Sequence, residues 1–181
     1  MERVLLVIDV QNEYFSGLLP VTHPAGSLAN VLKAMDAGWE HGVGVVVVQH
    51  AAARPGSQVF QRGSAAWELH PEVERRHRDL LLDKQLPGSF TGTGLERWLR
   101  ERGVARLAIA GYMTHMCCDT TARQAFHRGF QVEFLSDATG TLNLDTYAGS
   151  VTAEELHRAV LVVQAGLFSQ VLTTEQWVQG L

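Results

Sequence analysis

The sequence predicts an α/β fold in which helices cover both faces of a mostly parallel sheet of about six strands. Short apolar runs alternate with amphipathic stretches along the chain, which is typical of parallel strands connected by helices. Continuous apolar runs such as Val43–Val48 indicate strands that are buried on both faces. No repeat or low-complexity segment interrupts the 181 residues, so we expect one domain spanning positions 1–181.

Six short apolar segments are predicted as the strands of this sheet. They are Val4–Ile8, Val43–Val48, Leu80–Leu82, Leu107–Ala110, Gln131–Leu135 and Phe168–Leu172. Their short lengths and their β-branched residues favour strands over helices. The connection between the second and third segments contains a stretch rich in Ala, Gly, Pro, Ser and Gln at residues 51–70, which predicts a long surface loop.

Four segments with apolar residues at helical spacing are predicted as helices. They run from about 25 to 40, 93 to 102, 117 to 127 and 152 to 165. Thr152 and Glu155 have the capping-box pattern at the start of the last helix. Trp39 and Trp98 fall on the apolar faces of the first two helices, so we expect both indole rings in the core.

The composition argues against nucleic acid and membrane as partners. Fifteen Lys and Arg residues against nineteen Asp and Glu give a formal net charge of −4, whereas nucleic-acid binding requires a basic patch. No apolar run reaches the roughly 18 residues of a membrane span. The run at residues 4–8 is too short for a signal-peptide core, so we expect a cytoplasmic location.

The two cysteines, Cys117 and Cys118, are adjacent. Adjacent Cα atoms lie about 3.8 Å apart, which is shorter than the usual range for an unstrained disulfide. We therefore expect free thiols, in agreement with a reducing compartment.

Three ionisable residues follow predicted strands: Asp9 the first, Lys84 the third and Cys117 the fourth. Each alone has an ordinary explanation: Asp9 can anchor a loop, Lys84 can be a solvated cation, and Cys117 can be a small core residue. Because ligands bind beyond the carboxyl ends of the strands in open α/β sheets, the three side chains can form one cluster. Such a cluster supports nucleophilic catalysis, in which Asp9 takes the thiol proton and Lys84 lowers the thiol pKa.

Four motifs carry a family resemblance. They are residues 7–15 around Asp9, residues 84–95 beginning at Lys84, Gly111-x-x-Thr114-x-x-Cys117 with its continuation to residue 122, and Ser136-Asp137-Ala138. In this order and spacing, the motifs resemble those of the isochorismatase-like cysteine hydrolase family. The resemblance implies a three-layer α/β/α sandwich.

The resemblance also implies a mechanism. The catalytic triad is Asp9, Lys84 and Cys117, which hydrolyses a C–N bond of a small amide or carbamoyl compound through a thioester. The peptide bond between Tyr112 and Met113 is expected to be cis, and the N–H groups of Met113 and Cys117 to form the oxyanion hole. Cys118 replaces the usual Val and is expected to be a packing residue. Relatives commonly form homodimers or homotetramers.

Five residues near the motifs are candidates for binding a small-molecule substrate: Phe15, His50, Phe90, Tyr112 and His115. His50 either lines the pocket or packs a loop, and His115 either contacts substrate or makes a structural turn contact. The Asp-x-His of the metal-binding nicotinamidases is missing after the second strand, and the histidines lack His-x-x-x-His spacing, so we expect no metal and no cofactor.

The substrate within the amide class stays open. Family substrates include nicotinamide, carbamoyl compounds, ureido acids and maleamate, and Arg54 and Arg62 are the candidate partners for a carboxylate. Phe60 and Trp67 in the 51–70 loop either cover the site or contact another subunit. The apolar pair Trp177-Val178 gives weak support for self-association.

Two other functions compete with hydrolysis. A thiol redox or electrophile sensor uses Cys117 and Cys118 as a working pair, but that role requires neither Asp9 nor Lys84. A catalytically silent member binds a small molecule or a partner protein. Substitution of Cys118 separates the first alternative from a hydrolase, because only the sensor needs that thiol.

Overall fold

Six parallel strands form the centre of the molecule, in a computed structural model that describes residues 2–181. They are β1 (Arg3–Ile8), β2 (Gly44–His50), β3 (Leu80–Lys84), β4 (Arg106–Tyr112), β5 (Gln131–Gly140) and β8 (Gln170–Leu172). The spatial order is β3-β2-β1-β4-β5-β8, and every neighbouring pair is parallel. The predicted α/β fold with a six-stranded parallel sheet is therefore confirmed.

Six α-helices accompany the strands. They are α1 (Ser27–Glu40), α2 (Pro71–Glu74), α3 (Leu95–Glu101), α4 (Asp119–His127), α5 (Ala153–Val163) and α6 (Thr174–Gln179). A 3₁₀ turn spans Asn12–Tyr14, and two π-helical turns span Thr114–Cys118 and Gln164–Phe168. None of the helices in the described part of the chain is long and apolar enough to cross a membrane.

Hydrophobic clusters on both faces of the sheet hold these layers together. Successive side chains of a strand point to opposite faces, so Leu5 joins the cluster that contains Met35 of α1 and Trp177 of α6. Leu6 joins the opposite cluster, together with Leu99 of α3. All five of these side chains are almost completely buried, which explains why the central strands read as continuous apolar runs.

Several elements differ from the predictions. Phe168 ends the second π turn, and the last strand begins only at Gln170. A short antiparallel hairpin, β6 (Leu144–Thr146) and β7 (Gly149–Val151), precedes α5, and it carries no alternating apolar pattern that could have revealed it. α6 was not predicted either, although Thr173 and Gln176 form a complete capping box at its start.

The prediction that Trp39 lies in the core is wrong. Its side chain is 57% exposed and stacks on His77, with ring centroids 3.7 Å apart. The buried face of α1 is instead formed by small and medium residues, among them Val31 and Met35. Trp98 is partly buried and packs against the α3 side of the sheet, and Trp177 is buried in the core, so it offers no exposed surface for self-association.

Candidate active site

Lys84 lies at the centre of a buried cluster at the carboxyl edge of the sheet. Its Nζ atom is 2.6 Å from Oδ2 of Asp9, 3.2 Å from Sγ of Cys117 and 3.3 Å from Nδ1 of His50. The contacts to Cys117 and His50 are hydrogen bonds from the ammonium group, and the contact to Asp9 is an ion pair. The structure thus brings the three residues of the predicted triad together and adds His50 to them.

The topology of the sheet explains this convergence. Parallel strands end at the same edge, and β1 lies between β2 and β4, with β3 next to β2. At Gly111 in β4, φ is +112°, and a Cβ atom would lie 2.0 Å from the carbonyl oxygen of Ile8. Only glycine permits this approach, which brings the end of β4 against the residue that precedes Asp9.

Asp9 has an unusual backbone conformation as the chain leaves β1. Its φ is +52°, in the left-handed region, where Asp is among the better tolerated residues. The N–H group of Asp9 donates to Val48 (2.9 Å), and its carbonyl accepts from the N–H of Gln11 (2.8 Å). The side chain is completely buried. Burial raises the pKa of this carboxyl group, and the ammonium group of Lys84 opposes the rise only in part.

Cys117 lies inside the first π turn and not at the start of α4, as the sequence predicted. The Cys118 N–H donates to the carbonyl of Met113 at 3.2 Å, a five-residue hydrogen bond that defines the wide turn. Burial and the Asp9 carboxylate raise the pKa of the Cys117 thiol above its ordinary value, although Lys84 lowers it. Lys84 thus acts on the thiol pKa in the predicted direction, but burial and the Asp9 carboxylate outweigh its effect.

The backbone between β4 and the π turn contains a cis peptide bond at Tyr112–Met113, the bond for which the family resemblance implies this geometry. Met113 directly precedes the turn, and Cys117 is its fourth residue. The two residues whose N–H groups are expected to bind an oxyanion thus lie at the start and near the end of one short segment.

Aromatic rings surround the cluster on the α1 side of the sheet. Tyr112 is fully buried, with its hydroxyl 3.1 Å from Oγ of Ser27, and the ring of Phe15 packs against it at 5.7 Å. Tyr14 lies 5.5 Å from Tyr112 and 5.3 Å from Phe60. Burial raises the pKa of Tyr14, and electrostatic interactions with Cys117 and Asp9 add to this effect. Tyr14 therefore belongs to the surroundings of the site, although it was not among the predicted residues.

Phe90 does not belong to this aromatic group. Its ring packs at 5.9 Å against Phe130, which precedes β5 at the opposite end of the sheet, and the guanidinium of Arg128 lies over it at 4.9 Å. The side chain is buried in the core on the α3 side. Phe90, a predicted substrate-binding residue, therefore does not line the aromatic side of the site, because its ring points into the core.

The two histidines whose roles the sequence left open lie in different environments. His50 contacts Lys84 and lies 5.0 Å from the ring of Phe60. His115 pairs through Nδ1 with Oγ1 of Thr141 at 2.7 Å, while its buried Nε2 has no hydrogen-bond partner among residues 2–181. Through Nδ1, His115 thus joins the π turn to the residue that follows β5. Burial lowers the pKa of both imidazoles, that of His50 to about 4, with the charge of Lys84 contributing to the latter.

The 51–70 loop packs over the site of its own chain, where the ring of Phe60 lies beside Tyr14 and His50. Gln11 donates through Nε2 to the carbonyls of His50 (2.9 Å) and Trp67 (2.6 Å). The buried carboxylate of Glu13 accepts from the N–H groups of Leu18 (2.7 Å) and Phe60 (3.2 Å). The signal in the sequence for Gln11 and Glu13 is that both polar residues directly follow a buried strand, but neither was predicted to hold the loop.

The remaining candidates lie outside the cluster. Arg62 forms an ion pair with Asp83 at 3.1 Å and lies over the ring of Trp67, so its charge is already balanced. Cys118 is fully buried in the core on the α3 side, which weighs against a working pair with Cys117. In the described range 2–181, no group of three His, Cys, Asp or Glu side chains is arranged to hold a metal ion.

Known proteins share this sequence and architecture. The Isochorismatase domain family matches residues 3–176. A crystal structure of a protein assigned as an isochorismatase, from Burkholderia xenovorans LB400, has 48% sequence identity and a TM-score of 0.95, covering 98% of this chain and 86% of that one. The isochorismatase family protein YddQ of Bacillus subtilis (strain 168) is 33% identical over 180 residues, which are 99% of this chain and 100% of the relative.

A relative with a named activity matches over a similar range. Nicotinamidase 3 of Arabidopsis thaliana is 33% identical over 170 residues, which are 87% of this chain and 78% of the relative. The match of the family to nearly the whole chain and the agreement in structure lead to one conclusion. The chain belongs to the isochorismatase family of hydrolases.

Proposed function

We propose that the protein is a cysteine hydrolase that cleaves the C–N bond of a small amide or carbamoyl compound through a thioester intermediate. The observation that carries this proposal is the contact of Lys84 Nζ with both Asp9 Oδ2 and Cys117 Sγ. It combines a nucleophile, a proton acceptor and a cation in a buried cluster, where electrostatic interactions are strong.

In the first half of the reaction, the Asp9 carboxylate takes the proton of the Cys117 thiol, and the sulfur attacks the substrate carbonyl carbon. Lys84 stabilises the thiolate as it forms, because its ammonium group already points at Sγ. The negative charge then moves to the former carbonyl oxygen, for which we assign the N–H groups of Met113 and Cys117 as donors. When the C–N bond breaks, Asp9 returns its proton to the departing nitrogen.

In the second half, water replaces the amine. Asp9, again a carboxylate, takes a proton from that water, and the hydroxide attacks the thioester carbon. The C–S bond breaks, the acid product leaves, and the proton held by Asp9 returns to the sulfur of Cys117. The raised pKa of Asp9 suits this role, because a base must also release its proton during each cycle.

The chemistry of the nucleophile supports an amide-type substrate. A thiolate attacks carbonyl carbon and forms a thioester, whereas an enol ether offers no carbonyl for this step. The similarity to Nicotinamidase 3 supports the same class of bond. The aromatic rings of Phe15, Tyr14 and Phe60 around the site favour a small substrate with an apolar or planar body.

The test is a panel of small amides, comprising nicotinamide, an N-carbamoyl amino acid, a ureido acid and maleamate, with release of ammonia as the readout. We expect turnover of at least one compound by the wild type and none by Cys117→Ala. Mass spectrometry of quenched reactions should show an acyl group on Cys117 that hydroxylamine removes. Turnover by Cys117→Ala at the wild-type rate would refute the proposal.

A further inference from the structure

We propose that His157 of α5 and Gln164, the first residue of the π turn that continues α5, are positioning residues for the nucleophile, a role that rests on the proposed function of Cys117. Both side chains are buried. α5 packs beside the π turn Thr114–Cys118, and the π turn Gln164–Phe168 packs beside α4. Neither residue belongs to the motifs that carry the catalytic cluster. Each makes a hydrogen bond to a residue at one end of the segment that contains Cys117.

His157 holds the amino-terminal end of this segment. Its Nε2 lies 2.9 Å from the carbonyl oxygen of Ser136, and its Nδ1 lies 2.9 Å from Oγ1 of Thr114. A carbonyl oxygen can only accept, so the imidazole proton is on Nε2, and Nδ1 must accept from the Thr114 hydroxyl. The fully buried Thr114 is the first residue of the π turn. The imidazole therefore ties this turn to the backbone of β5.

Gln164 holds the other end. Its Nε2 donates to Oδ1 of Asp119 at 2.7 Å, and its Oε1 accepts from the Ser169 hydroxyl at 2.6 Å. Asp119 directly follows the π turn and begins α4. The amide nitrogen and the amide oxygen of Gln164 thus each have a partner, which fixes the orientation of the side chain. The contacts of His157 and Gln164 bracket the five residues that include Cys117.

A π turn needs such support more than an α-helical turn does. Its wide hydrogen bonds are rarely stable on their own, and π turns occur mainly as single turns at functional sites. If the turn relaxed to α-helical geometry, a shift of one residue would rotate Cys117 by about 100° around the helix axis. Sγ would then leave its position 3.2 Å from Nζ of Lys84. We infer that the contacts of His157 and Gln164 prevent this relaxation.

The test compares Thr114→Val, which removes the hydroxyl donor, with Thr114→Ser, which keeps it. For Thr114→Val we expect kcat to fall by at least about tenfold, because misplacement of a reacting group by about 1 Å is costly. KM should change by less than about twofold. The pH midpoint of Cys117 alkylation by iodoacetamide, followed by peptide mapping, should move toward the ordinary thiol value of about 8.5. Thr114→Ser should keep both properties near those of the wild type.

A second pair of variants tests the imidazole itself. His157→Asn places an acceptor near the position of Nδ1 and should preserve the alkylation midpoint. His157→Gln places its amide near the position of Nε2 and should behave like Thr114→Val. Gln164→Met, which removes the bond to Asp119, should change the midpoint in the same direction as His157→Gln.

The matched control is Thr139→Val, because this buried threonine donates its hydroxyl only within β5, to the carbonyl of Leu135 at 3.1 Å. It should lower the melting temperature without moving the Cys117 midpoint. If Thr114→Val and His157→Gln fold but move only the melting temperature, as the control does, the positioning role is refuted. Alkylation requires no substrate, so it tests positioning separately from hydrolysis. If the wild type hydrolyses none of the amides but the variants shift the midpoint of Cys117 alkylation, hydrolysis is refuted and positioning is supported.

Discussion

Nζ of Lys84 lies 3.3 Å from Nδ1 of His50. Because the ammonium group can only donate, this contact requires a neutral imidazole whose proton is on Nε2. His50 therefore completes the set of partners of Lys84 and presents an N–H group on its other side. The same ammonium group forms an ion pair with Asp9 and donates to Sγ of Cys117.

Acidification should destabilise the fold through His50 and His157. Burial lowers the pKa of each to about 4, against an ordinary value of 6.5. As the pH falls, these histidines therefore take up a proton in the unfolded chain before they do so in the folded one. Their contribution to the free energy of unfolding is fully present above pH 6.5 and decreases as the pH falls to about 4. Each histidine should contribute a slope of about 1.4 kcal/mol per pH unit within this range. Urea unfolding at several pH values should show a smaller slope for His50→Asn, and equal slopes would contradict the assignment.

Asp9→Asn should uncouple the acidity of the thiol from its catalysis. Burial and the Asp9 carboxylate raise the pKa of Cys117 while Lys84 lowers it, so removing the carboxylate leaves only burial to oppose Lys84. We expect Cys117 to be alkylated at lower pH than in the wild type, while hydrolysis falls at least about a hundredfold for lack of a base. A variant with more acidic Cys117 and wild-type turnover would show that Asp9 is not the base.

Lys84→Met should shift the same thiol in the opposite direction. Without the ammonium group, the pKa of Cys117 should rise further, and the Asp9 carboxylate loses its counterion in a fully buried position. Breaking a buried ion pair by removing one partner costs about 3–5 kcal/mol, so the variant should also unfold at lower urea concentration. The double variant Asp9→Asn/Lys84→Met should regain part of this stability, and a further loss would argue against the pair.

Cys118→Ala should leave activity intact. Its side chain is fully buried among core residues, so the loss of one heavy atom should cost about 1 kcal/mol of stability. Cys117→Ala provides the matched comparison, because it changes the adjacent thiol and should abolish hydrolysis. If Cys118→Ala lost activity or a response to oxidants, the redox-pair alternative would gain support over the hydrolase.

Glu13→Gln should loosen the 51–70 loop. One of the two N–H groups that donate to Glu13, from Leu18 or Phe60, would face an amide NH₂ group. Limited proteolysis by trypsin should accelerate about tenfold at the bond after Arg62, corresponding to about 1.4 kcal/mol less protection of the closed loop. Glu68→Gln removes an exposed carboxylate of the same loop and should have no effect. Equal cleavage rates in both variants would show that Glu13 does not hold the loop.

The sequence by itself determined the strands of the six-stranded sheet, four of the helices and the edge of the sheet where the candidate site lies. Apolar runs such as Val43–Val48 can be satisfied only by strands covered on both faces, and residues that follow parallel strands meet at one edge. Asp9, Lys84 and Cys117 could therefore be grouped before any contact was known. Local patterns also predicted the start of a helix where the stabilising groups lie within a few residues of each other, as in the capping box of Thr152 and Glu155.

Only the tertiary structure decided which surroundings each side chain meets. Trp39 lies on the exposed side of α1 because the smaller residues of this helix pack against the sheet and α6. Whether the pKa of Cys117 rises or falls depends on burial and on two opposing charges, and no residue spacing encodes that balance. The contact of His157 with Thr114 joins elements distant in the chain, because α5 packs beside the π turn. Such contacts depend on how elements pack, and a single sequence does not state that packing.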